Sequence, residues 1–267
     1  MNNIALGRYL PLNSVVDKMD PRAKILIMLL LMIAIFIPAG FWGYLLIFAF
    51  IWIALKLSKL TIGFALRSMK PMLFMMVFLL VINVFAIKTG VPLVQWGWFS
   101  IYSDAISQTV YIIVRLMLMV IITTILTATT KPLDLTLGIE KLLKPFEVIG
   151  VPAHIIAMMI SIALRFIPTL IEETDKIMSA QKARGADFES GNLLQRARAL
   201  VPILVPLFIS AFRRADELAV AMECRCYHGD AGRTKLHVLH YQMRDYLVLL
   251  AYGAILAGVL VLARFGL

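Results

Sequence analysis

The sequence is poor in charged side chains and in cysteine. Charged residues are 16% of the total, against about 25% in soluble proteins, and hydrophobic residues reach 61%. This shortage of charge excludes a soluble globular enzyme and a disordered chain. Two cysteines are too few for a disulfide-stabilised secreted domain. The composition therefore predicts a polytopic membrane protein, which we expect to be all-α.

The sequence also lacks the groups on which catalysis or proton coupling would depend. It contains no GxxxxGK[ST] loop for binding ATP. Its long apolar stretches hold no Asp or Glu to relay protons. His154 is isolated, and no convergent set of His, Asp and Glu marks an active site near a span end. We therefore expect a chain that is not an enzyme and binds no cofactor itself.

Four charge-poor stretches predict about five transmembrane helices, because a span needs about 20 mostly apolar residues. The first stretch, Ile25 to Leu55, has no charged residue and accommodates two helices joined at Pro38-Ala39-Gly40. Three further spans are predicted at Pro71–Ile87, Ala105–Thr130 and Tyr246–Ala263.

The positions of Lys and Arg orient these spans, since positive residues accumulate in cytoplasmic loops. Of the 26 basic residues, 15 lie in residues 131–244, between the fourth and fifth spans. With five spans, the N-terminus lies in the cytoplasm and the C-terminus outside the cell membrane. Arg115 interrupts the fourth span, and we expect its long side chain to extend to the outer interface. Other basic residues predicted to be cytoplasmic are Arg8, Lys18, Arg22, Lys24, Lys56, Lys59, Arg67 and Lys70.

The predicted organisation inserts a cytoplasmic domain, 131–244, between the helices of 1–130 and a last span in 245–267. This domain contains two apolar runs, Val148–Leu164 and Ala199–Phe212, and each continues into a charged helical stretch. Such helices suit a path along the membrane that emerges on the cytoplasmic face. Alternatively, both runs cross the membrane, which gives seven spans and leaves each terminus on the same side.

An amphipathic helix is predicted at the start of this domain, from Pro132 to Pro145. Its apolar face comprises Leu135, Ile139, Leu142, Leu143 and Phe146, and the residues pointing away from that face are Glu140, Lys141, Lys144 and Glu147. The pattern is typical of a helix at the membrane interface. A helix packed on its own protein is equally compatible with it.

The two long helices of the domain share a partial repeat. Its offset aligns Arg184 with Arg225, and each Arg lies near its helix end, nine residues after an Asp. Acidic residues of the first helix align with basic residues of the second, which predicts pairing between the helices. The candidates are Asp175, Asp216, Glu172, Glu173, Arg213 and Arg214. Chance similarity is the alternative explanation for the repeat as a whole.

Both aligned arginines stand between small residues, in Ala183-Arg184-Gly185 and Cys224-Arg225-Cys226. Small neighbours leave the guanidinium uncovered, and Gly185 has the backbone freedom that ends a helix. Arg offers a rigid fork of donors to carboxylates or carbonyls. Two such ends suit docking into two soluble partners. The alternative is that each Arg caps the carbonyls of its own helix.

These features resemble the transmembrane T component, the EcfT/CbiQ family, of energy-coupling factor (ECF) transporters, which are ABC-type importers. The resemblance covers nearly the whole chain, including Ser14–Lys24, both Arg tripeptides and Gly232-Arg233-Thr234-Lys235. It implies that two helix ends dock onto two ABC-type ATPase subunits. The implied docking residues are Ala183, Arg184, Gly185, Cys224, Arg225, Cys226 and Tyr227. In family members the second tripeptide is often Ala-Arg-Gly. In this chain the Arg of the second tripeptide has Cys on both sides instead.

The resemblance implies a non-catalytic coupling subunit for vitamin uptake. Two ATPase partners would bind ATP and Mg, and the long helices would transmit their motion to a membrane-embedded, substrate-binding S component. The apolar surfaces of 131–170 and 199–212 are the implied contact for that component. An autonomous channel or secondary transporter is the alternative, and it would move solute without partners.

Potential metal ligands are concentrated in one short stretch, at Cys224, Cys226, His228, His237 and His240. Their spacing differs from the usual Cys-x2-Cys zinc site, and helical residues two apart point to different sides. A disulfide between the two cysteines is disfavoured in a reducing cytoplasm. We therefore expect ordinary surface residues rather than a metal site.

Overall fold

The computed structural model describes residues 9–37, 40–86, 89, 92–96, 99–188, 192–229 and 238–265. The helices are α1 (Pro21–Phe36), α2 (Gly40–Leu57), α3 (Ile62–Ala86), α4 (Ser103–Thr129), α5 (Pro132–Leu143), α6 (Ala153–Ala183), α7 (Leu193–Glu223) and α8 (Met243–Phe265). A 3₁₀ helix, Lys144–Ile149, follows α5. An antiparallel hairpin of β1 (Pro92–Trp96) and β2 (Phe99–Tyr102) precedes α4. The predicted all-α class is confirmed, with this hairpin as a small addition.

The chain forms two compact units. The first comprises residues 1–139 and 239–267, and the second comprises residues 140–238. Helices α1 to α4 and α8 belong to the first unit, α6 and α7 belong to the second, and α5 spans the boundary. The division at residues 131 and 244, expected from the sequence, stays a prediction.

Within the described residues, six helices are long and apolar enough to cross a membrane: α2, α3, α4, α6, α7 and α8. Four of them match predicted spans, and α6 and α7 are the helices of the seven-span alternative. Helix α1 has 16 residues, about 24 Å at 1.5 Å per residue, which is less than the hydrocarbon thickness of about 30 Å. The prediction of a multi-pass membrane protein is confirmed.

The core of the first unit lies where α1, α2, α4 and α8 meet. Its fully buried side chains include Ile35, Ile47, Leu118 and Val259, one from each of these helices. Helix α3 packs on α4 and leaves most of its apolar side chains exposed, with Phe74 at 81%. Such a surface on a multi-pass protein suits contact with lipid.

Helix α5 approaches α1 closely at Gly138. A Cβ built at this position would lie 3.0 Å from Ile25 Cδ1 and 3.1 Å from Pro21 Cβ, so a larger residue would push the helices apart. This contact agrees with the alternative of a helix packed on its own protein. Glu140, predicted to lie away from the apolar face, is nevertheless buried, at 8% exposed.

Arg115 has partners inside the bundle. Its Nη2 donates a hydrogen bond to Tyr44 Oη (3.0 Å), and its Cζ lies 5.0 Å from the ring centroid of Phe36. The Tyr44 hydroxyl in turn donates to Ile35 O (3.1 Å). These partners lie where α1 ends and α2 begins, so the charge is held by polar and aromatic contacts at that end of the bundle.

Candidate functional site

Helix α6 ends at a left-handed glycine directly after Arg184. Gly185 has φ +87°. Its N–H donates to Lys182 O (3.0 Å), and the N–H of Ala186 donates to Gln181 O (3.0 Å). This is the Schellman arrangement, in which backbone N–H groups satisfy the last helical carbonyls.

Helix α7 ends in the same arrangement, at the aligned position of the repeat. The N–H of Cys226 donates to Glu223 O (2.8 Å), and the N–H of Tyr227 donates to Met222 O (3.1 Å). Cys226 has φ +55° and takes the position that Gly185 has in α6. For a residue other than glycine this conformation costs about 1–2 kcal/mol. The sequence alignment of the two helix ends therefore corresponds to equal backbone geometry.

The side chains of Arg184 and Arg225 are exposed. Neither makes a hydrogen bond or ion pair with any residue that the structure describes. Backbone groups satisfy the nearby carbonyls, so this geometry does not use the guanidinium groups as helix caps. A Cβ at Gly185 would meet nothing within 4 Å, which leaves open space around the first Arg.

Helices α6 and α7 form an antiparallel pair. Arg214 Nη2 lies 2.8 Å from Glu173 Oε2, and Gln181 Nε2 donates to Pro202 O (3.5 Å). From the first contact to the second, the residue number rises by eight in α6 and falls by twelve in α7. The two helices therefore run in opposite directions. The ion pair joins equivalent positions of the repeat.

Helices α6 and α7 cross where Glu173 meets Arg214, and this antiparallel crossing places the two arginines at opposite ends of the helix pair. Arg184 follows Glu173 by 11 positions, and Arg225 follows Arg214 by the same number. Eleven helical residues span about 16 Å, so the two ends lie up to about 33 Å apart. Because equivalent residues meet at the crossing, the pair has approximate two-fold symmetry.

Of the predicted pairing residues, the structure brings together Glu173 and Arg214. Both side chains are about one-third exposed, so the bridge is solvent-accessible and its own contribution to stability is at most about 1 kcal/mol. The other four candidates form no ion pair with residues that the structure describes: Glu172, Asp175, Arg213 and Asp216.

Helix α6 exposes apolar side chains over its first half, and α7 exposes them over its middle. Helix α7 exposes Leu200, Val201, Leu204, Val205, Phe208, Ile209 and Phe212, and we refer to these residues as the α7 apolar surface. Helix α6 exposes Ile155, Met159, Ile160 and Ile167. The apolar exposure is broad enough for contact with lipid or with another apolar protein surface.

The cysteine and histidine residues near the end of α7 do not assemble within the described part of the chain. Cys224 and Cys226 are exposed free thiols. No group of three or more His, Cys, Asp and Glu among the described residues could hold a metal ion. His237 and Gly232-Arg233-Thr234-Lys235 lie outside the described residues.

His154 is not isolated. Its Nδ1 lies 3.1 Å from Glu140 Oε1, and both side chains are largely buried. The sequence places these residues 14 positions apart, in the predicted amphipathic helix and in the following long helix. No local pattern indicated that they would meet.

Sequence reasoning also missed a polar clamp between the starts of α1 and α8. Asp245 is 1% exposed, and its carboxylate accepts from the N–H of Asp20 (2.9 Å) and from that of Gln242 (2.8 Å). Arg22 Nη2 donates to Asp20 Oδ2 (2.8 Å) and to Leu239 O (2.9 Å). The hydrogen bond to Asp20 raises the pKa of Arg22.

Lys24, expected as a loop charge directly before the first span, is buried. Its Nζ donates to Thr129 O (2.9 Å), Asp17 O (3.2 Å) and Thr130 Oγ1 (3.3 Å). Burial lowers the pKa of Lys24 from 10.5 to about 8. The ammonium group thus ties the segment before α1 to the end of α4.

Comparisons with known proteins cover nearly the whole chain. The CbiQ family, described as a cobalt transport protein, matches residues 13–236. An energy-coupling factor transporter transmembrane protein EcfT from Ruminiclostridium cellulolyticum is 50% identical over 248 residues, which cover 93% of this chain and 92% of the relative. The Clostridium kluyveri protein of the same name is 48% identical over 267 residues, covering 99% and 98%. This chain therefore belongs to the CbiQ family, with the EcfT transmembrane proteins of energy-coupling factor transporters as its relatives.

Proposed function

We propose that this chain is the non-catalytic coupling subunit of an ECF-type ABC importer. It transmits the ATP-driven motion of two ATPase subunits to a membrane-embedded S component, which binds a vitamin and carries it inward. The ATPase subunits bind the ATP and Mg. The observation that carries this proposal is the pair of matching helix ends, with Arg184 and Arg225 uncovered at opposite ends of one antiparallel pair.

The symmetry of the helix pair suits two related partners. Each ATPase subunit receives one Arg, whose guanidinium donates to carboxylates or carbonyls in a groove. When ATP brings the ATPase subunits together, each helix end moves with its own subunit. Because α6 and α7 cross at Glu173 and Arg214, this motion changes the angle at the crossing. The apolar stretches of both helices then move as well.

The α7 apolar surface is the proposed seat of the S component. An apolar membrane subunit resting on it follows the change of crossing angle. Three prolines lie inside these helices, Pro168 in α6 and Pro202 and Pro206 in α7, and each removes a backbone hydrogen bond. Such positions allow a helix to bend beneath a moving partner.

We expect Phe208→Asp with Phe212→Asp to release the S component while the ATPase subunits stay bound. Both rings are exposed, so the chain loses little packing, but two carboxylates on an apolar contact must be desolvated. Co-purification with a tagged S component measures the effect. Asp216→Asn with Glu217→Gln, farther along the same helix, is the control and should bind normally. Normal binding of the Phe208/Phe212 variant would remove this surface as the contact.

The central experiment separates coupling from autonomous transport. The purified chain is placed in liposomes alone, and in parallel with two ATPase subunits and a riboflavin-binding S component. We expect uptake of labelled riboflavin only in the complete set and only with ATP. Flux through the chain alone, without ATP, would instead establish the autonomous transporter.

We propose that the N-terminus and both Arg ends are cytoplasmic and that the C-terminus is outside. Cys224 and Cys226 are exposed thiols and report the location of the second Arg end. A membrane-impermeant maleimide should label them in inside-out vesicles and not in intact cells. Phe265→Cys, in a Cys224→Ser/Cys226→Ser background, should show the opposite pattern. Labelling of both from the same side would mean that α8 does not cross the membrane.

A further inference from the structure

A cavity of about 370 Å³ lies within the first compact unit, between α1, α2, α4 and α8. Apolar side chains from all four helices line it, including Ile27, Ile51, Ala54, Ile122 and Ala251. An apolar cavity of about 150 Å³ already admits benzene, and this cavity is larger. Its volume falls in the usual range of ligand pockets, about 300–1,000 Å³.

The chemistry of the cavity excludes a polar ligand. Of the described residues that line it, Lys24 alone is charged and Thr129 alone is otherwise polar. An ammonium group has three N–H donors. Lys24 Nζ already has three acceptors, on Asp17, Thr129 and Thr130. A water molecule needs two to four polar partners, so the space suits a hydrocarbon.

The cavity opens to the outer surface of the helix bundle. Five of its lining residues are exposed apolar side chains: Val15, Ile53, Leu57, Leu247 and Ala251. The opening is thus continuous with the apolar exterior of a multi-pass membrane protein, where lipid chains are the surrounding medium.

The lining residues also share one level of the bundle. Val15, Val16 and Met19 precede α1, and most of the others come from the first half of α1 and α8 and the second half of α2 and α4. In antiparallel neighbours, these halves lie toward the same end. That end carries Lys24 and the clamp of Asp20 and Asp245. The cavity therefore faces one leaflet of the bilayer.

We propose that this cavity holds one acyl chain of a membrane phospholipid, inserted sideways from the leaflet at the Lys24 end. The chain fills the space between the four helices and completes their packing, while its headgroup stays at the interface. This binding site goes beyond the coupling role and does not depend on it.

A photoactivatable lipid tests the proposal. The assembled transporter is reconstituted in phosphatidylethanolamine and phosphatidylglycerol with a small share of phosphatidylcholine that carries a diazirine midway along one acyl chain. After irradiation, mass spectrometry locates the adducts. We expect adducts on Ile27 and Ile122, which are only 7% and 5% exposed and line the cavity. Surface lipid alone would label exposed residues such as Phe74.

A tryptophan at the rim should close the cavity. Ala251→Trp is expected to abolish the adducts on Ile27 and Ile122 and to leave those on Phe74 unchanged. Ala257→Trp is the matched control, since this alanine is exposed on the same helix but does not line the cavity. Should Ala251→Trp fail to assemble, Ile53→Trp closes the rim from α2.

Two results would overturn the proposal. One is labelling of Ile27 and Ile122 that Ala251→Trp does not reduce. The other is their labelling in the isolated chain but not in the assembled transporter, because a partner protein would then occupy the cavity.

Discussion

Reversing both helix-end charges, with Arg184→Glu and Arg225→Glu, is expected to release the ATPase subunits and to reduce ATP-driven uptake to background. The chain itself should insert and fold normally. Both guanidinium groups are exposed and make no bond to another described residue, and the helix ends are closed by backbone hydrogen bonds. The substitution therefore removes nothing from the described fold.

The expected magnitude follows from the chemistry of a docked arginine. Loss of one partner of a buried, hydrogen-bonded charge pair costs about 2–5 kcal/mol, which is roughly 30-fold to several thousandfold in affinity. Charge reversal adds repulsion from any acidic groove. Each single variant should weaken one contact and leave the other, so the complex should persist but transport poorly.

The measurement is co-purification with both ATPase subunits and the S component, followed by uptake in liposomes. Arg196→Glu with Arg198→Glu is the matched control, because these exposed residues of α7 give the same change of charge away from the helix ends. If the Arg184/Arg225 variant keeps its ATPase subunits and transports normally, coupling does not pass through these side chains.

Much of the fold could be predicted because the bilayer imposes a local rule on the sequence. A span must be apolar over about 20 residues, and α2, α3, α4 and α8 follow from that rule alone. The same rule could not decide whether α6 and α7 cross the membrane. A helix that rests on an apolar partner has the same composition as one that faces lipid.

The backbone of the first helix end follows a local pattern, which is why the sequence could indicate it. Gly185 is the residue type that favours the left-handed conformation closing α6. Cys226 carries no such signal, and only its alignment with Gly185 in the repeat pointed to an equal position. The repeat acquires a spatial meaning in the structure, where the aligned residues Glu173 and Arg214 meet.

The polar contacts of the first unit could not be predicted, because no periodic pattern links residues far apart. Asp20 and Asp245 are separated by 225 positions, and Lys24 and Thr129 by 105. Charge counting assigned Lys24 to a cytoplasmic loop, since a loop charge and a buried charge look alike in sequence. Only the folded structure shows that the hydrogen bonds of Lys24 and Asp245 are buried.

Replacing Asp245 is expected to have the largest effect on the stability of the first unit. Its carboxylate lies in the first turn of α8 and accepts the N–H of Gln242, as in a capping box. It also accepts the N–H of Asp20, the N-cap residue of α1. One buried carboxylate thus serves the first turns of two helices that are far apart in sequence.

Asp245→Ala should lower the free energy of unfolding by about 1–3 kcal/mol, because the buried N–H of Asp20 is left without an acceptor. The N–H of Gln242 is only partly buried and loses less, since water can replace the carboxylate there. Thermal unfolding of the purified complex in one detergent measures the loss. Asp245→Asn retains a single acceptor oxygen and should fall between Asp245→Ala and the unsubstituted protein.

Asp216→Ala is the control for this comparison, since Asp216 is exposed and forms no ion pair with a described residue. It should unfold at the unsubstituted temperature. An Asp245→Ala variant as stable as Asp216→Ala would mean that both N–H groups find other acceptors. The starts of α1 and α8 would then be held by other contacts, such as the hydrogen bond from Arg22 Nη2 to Leu239 O.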